Sequence, residues 1–180
     1  MKSVKVFVPY GAVGLNCTEE AFEAGLAMKP DIISSDAGST DSGPCYLGSD
    51  HGKYSIRDVK RDLKRMVLGA DKLGIPMTIG SAGTCGSDEG VDMAYKLICE
   101  ICEEAGIHKK IARIYSQQNA ETLKAKYREG KITALHGAPE ISEKTFDECS
   151  TIVALLGAEA YEEAFKNGAD IIIGGRSTDT

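Results

Sequence analysis

The sequence predicts an α/β domain built on a doubly wound, mainly parallel sheet of about six strands, with helices on both faces. Three observations carry that expectation. Short β-branched runs alternate with amphipathic stretches almost from end to end, as in "DIISS", "IPMTIG" and "GADIIIGG". These runs are continuously apolar rather than alternating, which is how a strand reads when helices cover it on both sides. Outside the helices, nearly all the Gly, Ser, Thr and Asn falls in the segments that follow a strand, whereas the opposite connectors ("KPD", "LGIP", "NGAD") are tight. A Rossmann or flavodoxin arrangement satisfies all three, with an incomplete barrel as the alternative.

Each element has its own justification. Residues 5–9 read as the first strand, and residues 18–28 as a helix opened by Thr18 with Glu19 and Glu20 in its first turn. Residues 31–34 form the second strand. Residues 56–73 carry Val59, Leu63, Met66, Val67 and Ala70 on one helical face. A strand at 76–79 leads to a helix at 88–105, a strand at 111–115 and a helix at 120–129. A weaker strand is expected at 132–135 and another at 152–155, followed by a helix at 158–167 and a last strand at 171–173.

The totals bound the function. A chain of 180 residues, 42% hydrophobic and 27% charged, buries a core as a single domain without disulfide staples. A net charge of −6 argues against nucleic acid or an anionic membrane as the main partner, since both need a basic face. No apolar run approaches the roughly 20 residues of a membrane span, and no secretory pattern opens the sequence, so a cytoplasmic protein is expected. The six cysteines, Cys17, Cys45, Cys85, Cys99, Cys102 and Cys149, are then expected to be reduced. Cys99 and Cys102 form a C-x-x-C in mid-helix, where Met93, Leu97, Ile98, Ile101 and Cys102 keep helical spacing, so the pair is expected to be packed and largely buried. A redox pair would open a helix instead.

In a doubly wound sheet, the loops at the carboxyl ends of the strands gather along one edge and bind ligands there. After strand one come Gly11, Gly14 and Asn16; Asn16 or Thr18 also serves as a helix cap. After strand two come Asp36, Ser39, Thr40 and Asp41. Two carboxylates in one loop can divide acid and base roles or hold a magnesium ion, and they can equally be solvated turn residues. After strand three, Gly80, Gly83 and Gly86 let a ligand approach the backbone, and Ser81 and Thr84 add hydroxyls; a tight strand-to-helix turn is the alternative. The last loop holds Gly175, Arg176, Ser177 and Asp179. No dinucleotide or P-loop fingerprint is present, and no cofactor is identified. His51 and His136 are candidate proton carriers only, and no G-x-S-x-G elbow announces a hydrolase triad.

The last third, "IVALLGAEAYEEAFKNGADIIIGGRSTDT", resembles the acyclic terpene utilisation (AtuA-like) family. In that family an "LGA" turn opens a helix, followed by "GAD", an apolar strand, a "GR" pair and a short step to Asp. The first glycine loop and "IPMTIGSAGTCGS" are also similar, although Cys85 departs from a more usual asparagine-containing form. Family proteins are longer, so the resemblance implies that these 180 residues are the amino-terminal part of a larger protein. It also implies catabolism of branched organic acids or their coenzyme A esters, with the reaction type (lyase, hydratase or hydrolase-like) open.

Two readings follow. In the first, an enzyme domain holds a small carboxylate or acyl-CoA substrate at the sheet edge. Arg176 and loop amides (Gly11, Gly14, Asn16, Ser39, Thr40, Gly80, Ser81, Gly83, Thr84, Gly175, Ser177) bind the anion, and Asp36, Asp41 or Asp179 moves protons. In the second, a non-catalytic module seats a partner subunit, either another copy or the remainder of the longer protein.

Overall fold

Five strands lie side by side, all parallel, in a computed structural model that describes residues 3–38, 42, 44–49 and 51–177. They are β1 (Val6–Phe7), β2 (Ile32–Asp36), β3 (Met77–Gly80), β4 (Ile111–Ile114) and β5 (Ile171–Gly174), in spatial order β1-β2-β3-β5-β4. The helices are α1 (Glu19–Ala27), α2 (Pro44–Ser49), α3 (Ile56–Leu73), α4 (Asp88–Ala105), α5 (Ala120–Arg128), α6 (Glu143–Glu148) and α7 (Ala158–Lys166). The chain is therefore an α/β protein of the expected doubly wound kind.

Helix ends follow local chemistry. Thr18, Ser55, Ser87 and Asn119 each accept a first-turn amide, which satisfies one of the donors a helix start leaves open. Gly74 and Gly106 end α3 and α4 in the left-handed conformation, where glycine has no Cβ to clash.

The two faces of the sheet are covered unequally. Strand alternation turns Ile33, Met77, Ile79, Ile171 and Ile173 toward α1, α3 and α4, and these side chains form the main core with Phe22, Leu63, Met66, Val91 and Ile98. The other face of β5 presents Ile172, which packs with Ala164, Ala169, Phe165 and Tyr161 under α7. Helix α7 contacts β4 and β5. Over β1, β2 and β3, that second face carries Val6, Ile32, Ser34, Asp36 and Thr78, and Val4, Val6 and Val8 are exposed to water.

Two expected strands are absent. Residues 132–135 form no ladder: Leu135 is 83% exposed and the run stops at Gly137 with φ 79°, so it has no apolar face to bury. Residues 152–155 follow α6 and make only an isolated bridge, Val153 with Gln117, with a second at the next residue, Leu156 with Ser177. The short helices α2 and α6 were not expected. At the start of α6, the Ser142 amide donates to Thr145 Oγ1, and Phe146 packs edge-on to Tyr127.

Helices α3 and α4 are joined by Lys60 to Glu100 (2.8 Å) and Glu104 (2.9 Å), and by Lys64 to Glu104 (2.8 Å). Hydrogen bonds from the two lysines hold the Glu104 carboxyl down to about 2. A depressed carboxylate stabilises the fold above its unfolded value and loses that contribution as pH falls through the folded one. Glu104→Gln should therefore melt lower than wild type at pH 7, with the difference vanishing as pH drops from about 4.5 toward 2. Because the group is exposed, 1 M salt should shrink the difference at pH 7 as well.

The six cysteines are thiols rather than disulfides, with Cys45 and Cys149 exposed, Cys17 and Cys99 half-buried, and Cys85 and Cys102 buried. Burial raises the Cys102 thiol above its ordinary value, which keeps it protonated and slows its own attack on disulfide reagents. A disulfide-exchange reagent should modify Cys45 and Cys149 first and Cys102 only on unfolding, with six thiols titrating in denaturant.

Candidate active site

The open half of the second sheet face becomes a cleft of about 380 Å³ where α7 stands beside it. Its floor is the carboxyl half of β2 and β3: Ser34 and Asp36 from one strand, Thr78 and Gly80 from the other. Residues i and i+2 of a strand share a face, so "SSD" and "TIG" each place two of these groups there. Thr78 Oγ1 donates to Ser34 Oγ at 2.7 Å across the strands. Its far wall is α7 with its preceding turn (Gly157, Ala158, Tyr161, Phe165), and Ser81 and Ser177 close the carboxyl end. Ile32, Leu156 and Phe165 supply the apolar lining.

Tyr161 reaches from α7 onto the sheet. Its hydroxyl lies 2.5 Å from Ser177 Oγ and donates to Ile79 O at 3.4 Å, while Ser177 Oγ can donate to Gly175 O at 3.0 Å. Room for the phenol comes from Gly174, at the end of β5. A Cβ on Gly174 would stand 1.8 Å from the Tyr161 oxygen, and one on Gly80 would stand 3.6 Å from it. Burial, and secondarily the charge of Asp36, raises the Tyr161 phenol above its ordinary value, so it stays protonated at neutral pH. Gly157 caps α7 without a side-chain hydrogen bond, and the Glu159 carboxylate lies beside it, 2.3 Å from where a Gly157 Cβ would stand.

The glycine loops are largely occupied with one another. After β3, Ser81 N and Ala82 N donate to Gly175 O and Gly174 O (2.9 and 3.0 Å), and Arg176 N donates back to Gly86 O at 3.1 Å. Ser116 Oγ also donates to Gly86 O at 3.1 Å and accepts Arg176 N at 2.7 Å. The first loop is held from below: Asp62, 0% exposed, accepts Gly14 N and Asn16 N on one oxygen (2.8 and 3.0 Å) and Arg61 Nε on the other.

The expected site residues thus divide. Asp36, Gly80, Ser81 and Ser177 line the cleft. Gly83 and Thr84 belong to a small apolar pocket of about 20 Å³ on the main-core side. Gly175 and Arg176 lie on the same edge as Gly83's loop, but Arg176 is 8% exposed and is not among the cleft-lining residues. Gly11 lies outside the cleft too, and Gly14 and Asn16 are committed to Asp62. Ser39, Thr40, Asp41 and Asp179 fall outside the described residues. The sequence reading missed Ser34, Thr78, Gly157 and Tyr161 as site groups. A signal for two of them was present: hydroxyls at alternate positions of internal strands, where a covering helix would call for apolar side chains. Among the described residues, no group of three or more His, Cys, Asp or Glu is placed to hold a metal ion, and no helix is long and apolar enough to cross a membrane.

A parallel sheet with a polar cleft at the carboxyl ends of its strands defines a doubly wound α/β domain, a class in which ligands usually bind at that edge. Within that class the sequence is specific: residues 56–180 match the acyclic terpene utilisation family protein AtuA, and the chain belongs to that family. The match begins at α3 and so includes the cleft residues of β3 and α7 and Ser177 beyond β5. No curated protein matches the chain.

Proposed function

We propose that this protein is an enzyme domain of acyclic terpene or branched-acid catabolism that binds the acyl part of a small carboxylate or coenzyme A ester in the cleft between α7 and the open face of β2 and β3. The observation that carries this reading is the cleft's composition. A carboxylate (Asp36), a protonated phenol (Tyr161) and the hydroxyls of Ser34, Thr78 and Ser177 converge on one end, and Ile32, Leu156 and Phe165 offer the rest to an aliphatic chain. Pockets of this kind, apolar with a few convergent polar groups, are the usual form of a small-molecule site. Arg176, 8% exposed and outside the cleft lining, is not the group that meets the substrate there. Family membership supports the substrate class.

Ala158→Phe tests the proposal, because Ala158 lines the cleft at the exposed first position of α7. Calorimetric titration with 3-methylbutanoate and its coenzyme A ester should show binding by wild type and at least tenfold weaker binding by the variant at unchanged melting temperature. Equal affinities would remove the cleft from consideration. A second reading, a module that seats a partner subunit, is favoured only by the exposed Val4, Val6 and Val8. Under that reading, Val6→Asp would alter sedimentation without altering ligand affinity.

A further inference from the structure

Tyr161 is held with more precision than packing of α7 requires. Gly174 at the end of β5 leaves the space its hydroxyl occupies, since a side chain there would overlap that oxygen. Ser177 Oγ lies at hydrogen-bond distance on one side and Ile79 O on the other. Asp36 is the cross-strand partner of Gly80 in the β2–β3 register, so its carboxylate rises from the sheet one strand away from the spot beneath the phenol. The Gly38 amide, donating to Asp36 Oδ1 at 3.1 Å, fixes that side chain. None of His51, His108 and His136 lines the cleft, so the base of a histidine-activated nucleophile is missing there.

From this juxtaposition, and resting on the reading of the cleft as the substrate site, we infer that the site performs proton transfer at the carbon next to a carbonyl. Asp36 is the base and the Tyr161 O–H is the donor to the carbonyl oxygen. The Cα–H bond breaks and its proton passes to an Asp36 oxygen. The C–H electron pair becomes the new carbon–carbon π bond, and the carbonyl π pair moves onto oxygen, where the Tyr161 O–H stabilises it. As the substrate oxygen takes that hydrogen bond, Ser177 Oγ–H can turn from Gly175 O to donate to the Tyr161 oxygen, which keeps both hydroxyls satisfied. Return of the proton regenerates the starting compound, so the step needs no co-reactant. Donors aimed at an oxygen that gains charge in the transition state accelerate this class of step, and a positioned acid or base contributes about 10²–10⁴-fold.

The test is hydrogen exchange at Cα of 3-methylbutanoyl-coenzyme A in D2O, followed by proton NMR and paired with calorimetric binding of the same thioester. Wild type is expected to replace the Cα hydrogens with deuterium. Tyr161→Phe should bind the thioester within about threefold of wild type yet exchange about 100-fold more slowly or worse, and Asp36→Asn should bind and not exchange. Binding by wild type without exchange overturns the inference and leaves the cleft reading standing. Undiminished exchange by Tyr161→Phe overturns the donor role and with it the inference. Absence of binding by wild type overturns both.

Discussion

Replacing Gly86 with alanine is expected to destabilise the protein by about 4 kcal/mol, in the range reserved for a backbone collision. Gly86 has φ 72°, and a Cβ there would stand 2.3 Å from Arg176 N and 2.4 Å from Arg176 Cα. Those atoms are main chain and cannot swing aside. They are also part of the lattice that ties the β3–α4 loop to the end of β5, through Arg176 N to Gly86 O and Ser116 Oγ to both. Parting the two loops displaces Ser177, and with it the hydroxyl pair at Tyr161. Gly74→Ala is the control. It shares the left-handed backbone, φ 64°, but its Cβ would meet nothing within 4 Å, so it should cost only the roughly 1–2 kcal/mol of the conformation itself. Denaturant melts of the two variants separate strain from collision, and equal losses would show that the loop contact is not what makes Gly86 necessary.

Asp62→Ala is expected to cost about 2–4 kcal/mol, through lost hydrogen bonds rather than lost packing. One oxygen of this buried side chain accepts both Gly14 N and Asn16 N, residues with φ 112° and 65° that the loop holds in uncommon backbone conformations. Alanine leaves two amides without their acceptor and releases the loop after β1. Arg61 sits at the surface and returns to water, so its loss adds little. Asp62→Asn keeps an acceptor for the amides and should cost about half as much. Urea denaturation of the three proteins gives the ordering, and an alanine variant as stable as the asparagine one would contradict the anchoring role.

The layering was legible because burial imposes it. Ile171, Ile172 and Ile173 are apolar in succession since the main core takes two of them and α7 takes the third. The bounds of α3 and α4 were readable from Ser55, Gly74, Ser87 and Gly106, whose capping chemistry is local. Residues 152–155 misled because a β-branched run looks the same whether it enters a ladder or merely bridges to Gln117, and only tertiary position decides. The site was half legible for a related reason. Glycine-rich loops mark the carboxyl edge of the sheet, but glycine also serves loop-on-loop packing, and Gly83 and Gly86 pack against Gly90 and Arg176. Tyr161 was hidden inside an ordinary amphipathic helix, where a half-buried tyrosine has no distinguishing pattern. Its place on the sheet appears only when Gly174 is seen beneath it.

The claim that the cleft under α7 is the substrate site is tested most directly by amide NMR of the protein titrated with 3-methylbutanoate. The account predicts saturable shifts at Gly80, Ser81, Gly157, Ala158, Tyr161 and Ser177, with Gly83, Thr84 and the Asp62-held loop at Gly14 and Asn16 little changed. Saturable shifts centred on Gly14, Asn16 and Thr84 with Gly157, Tyr161 and Ser177 unmoved would contradict it.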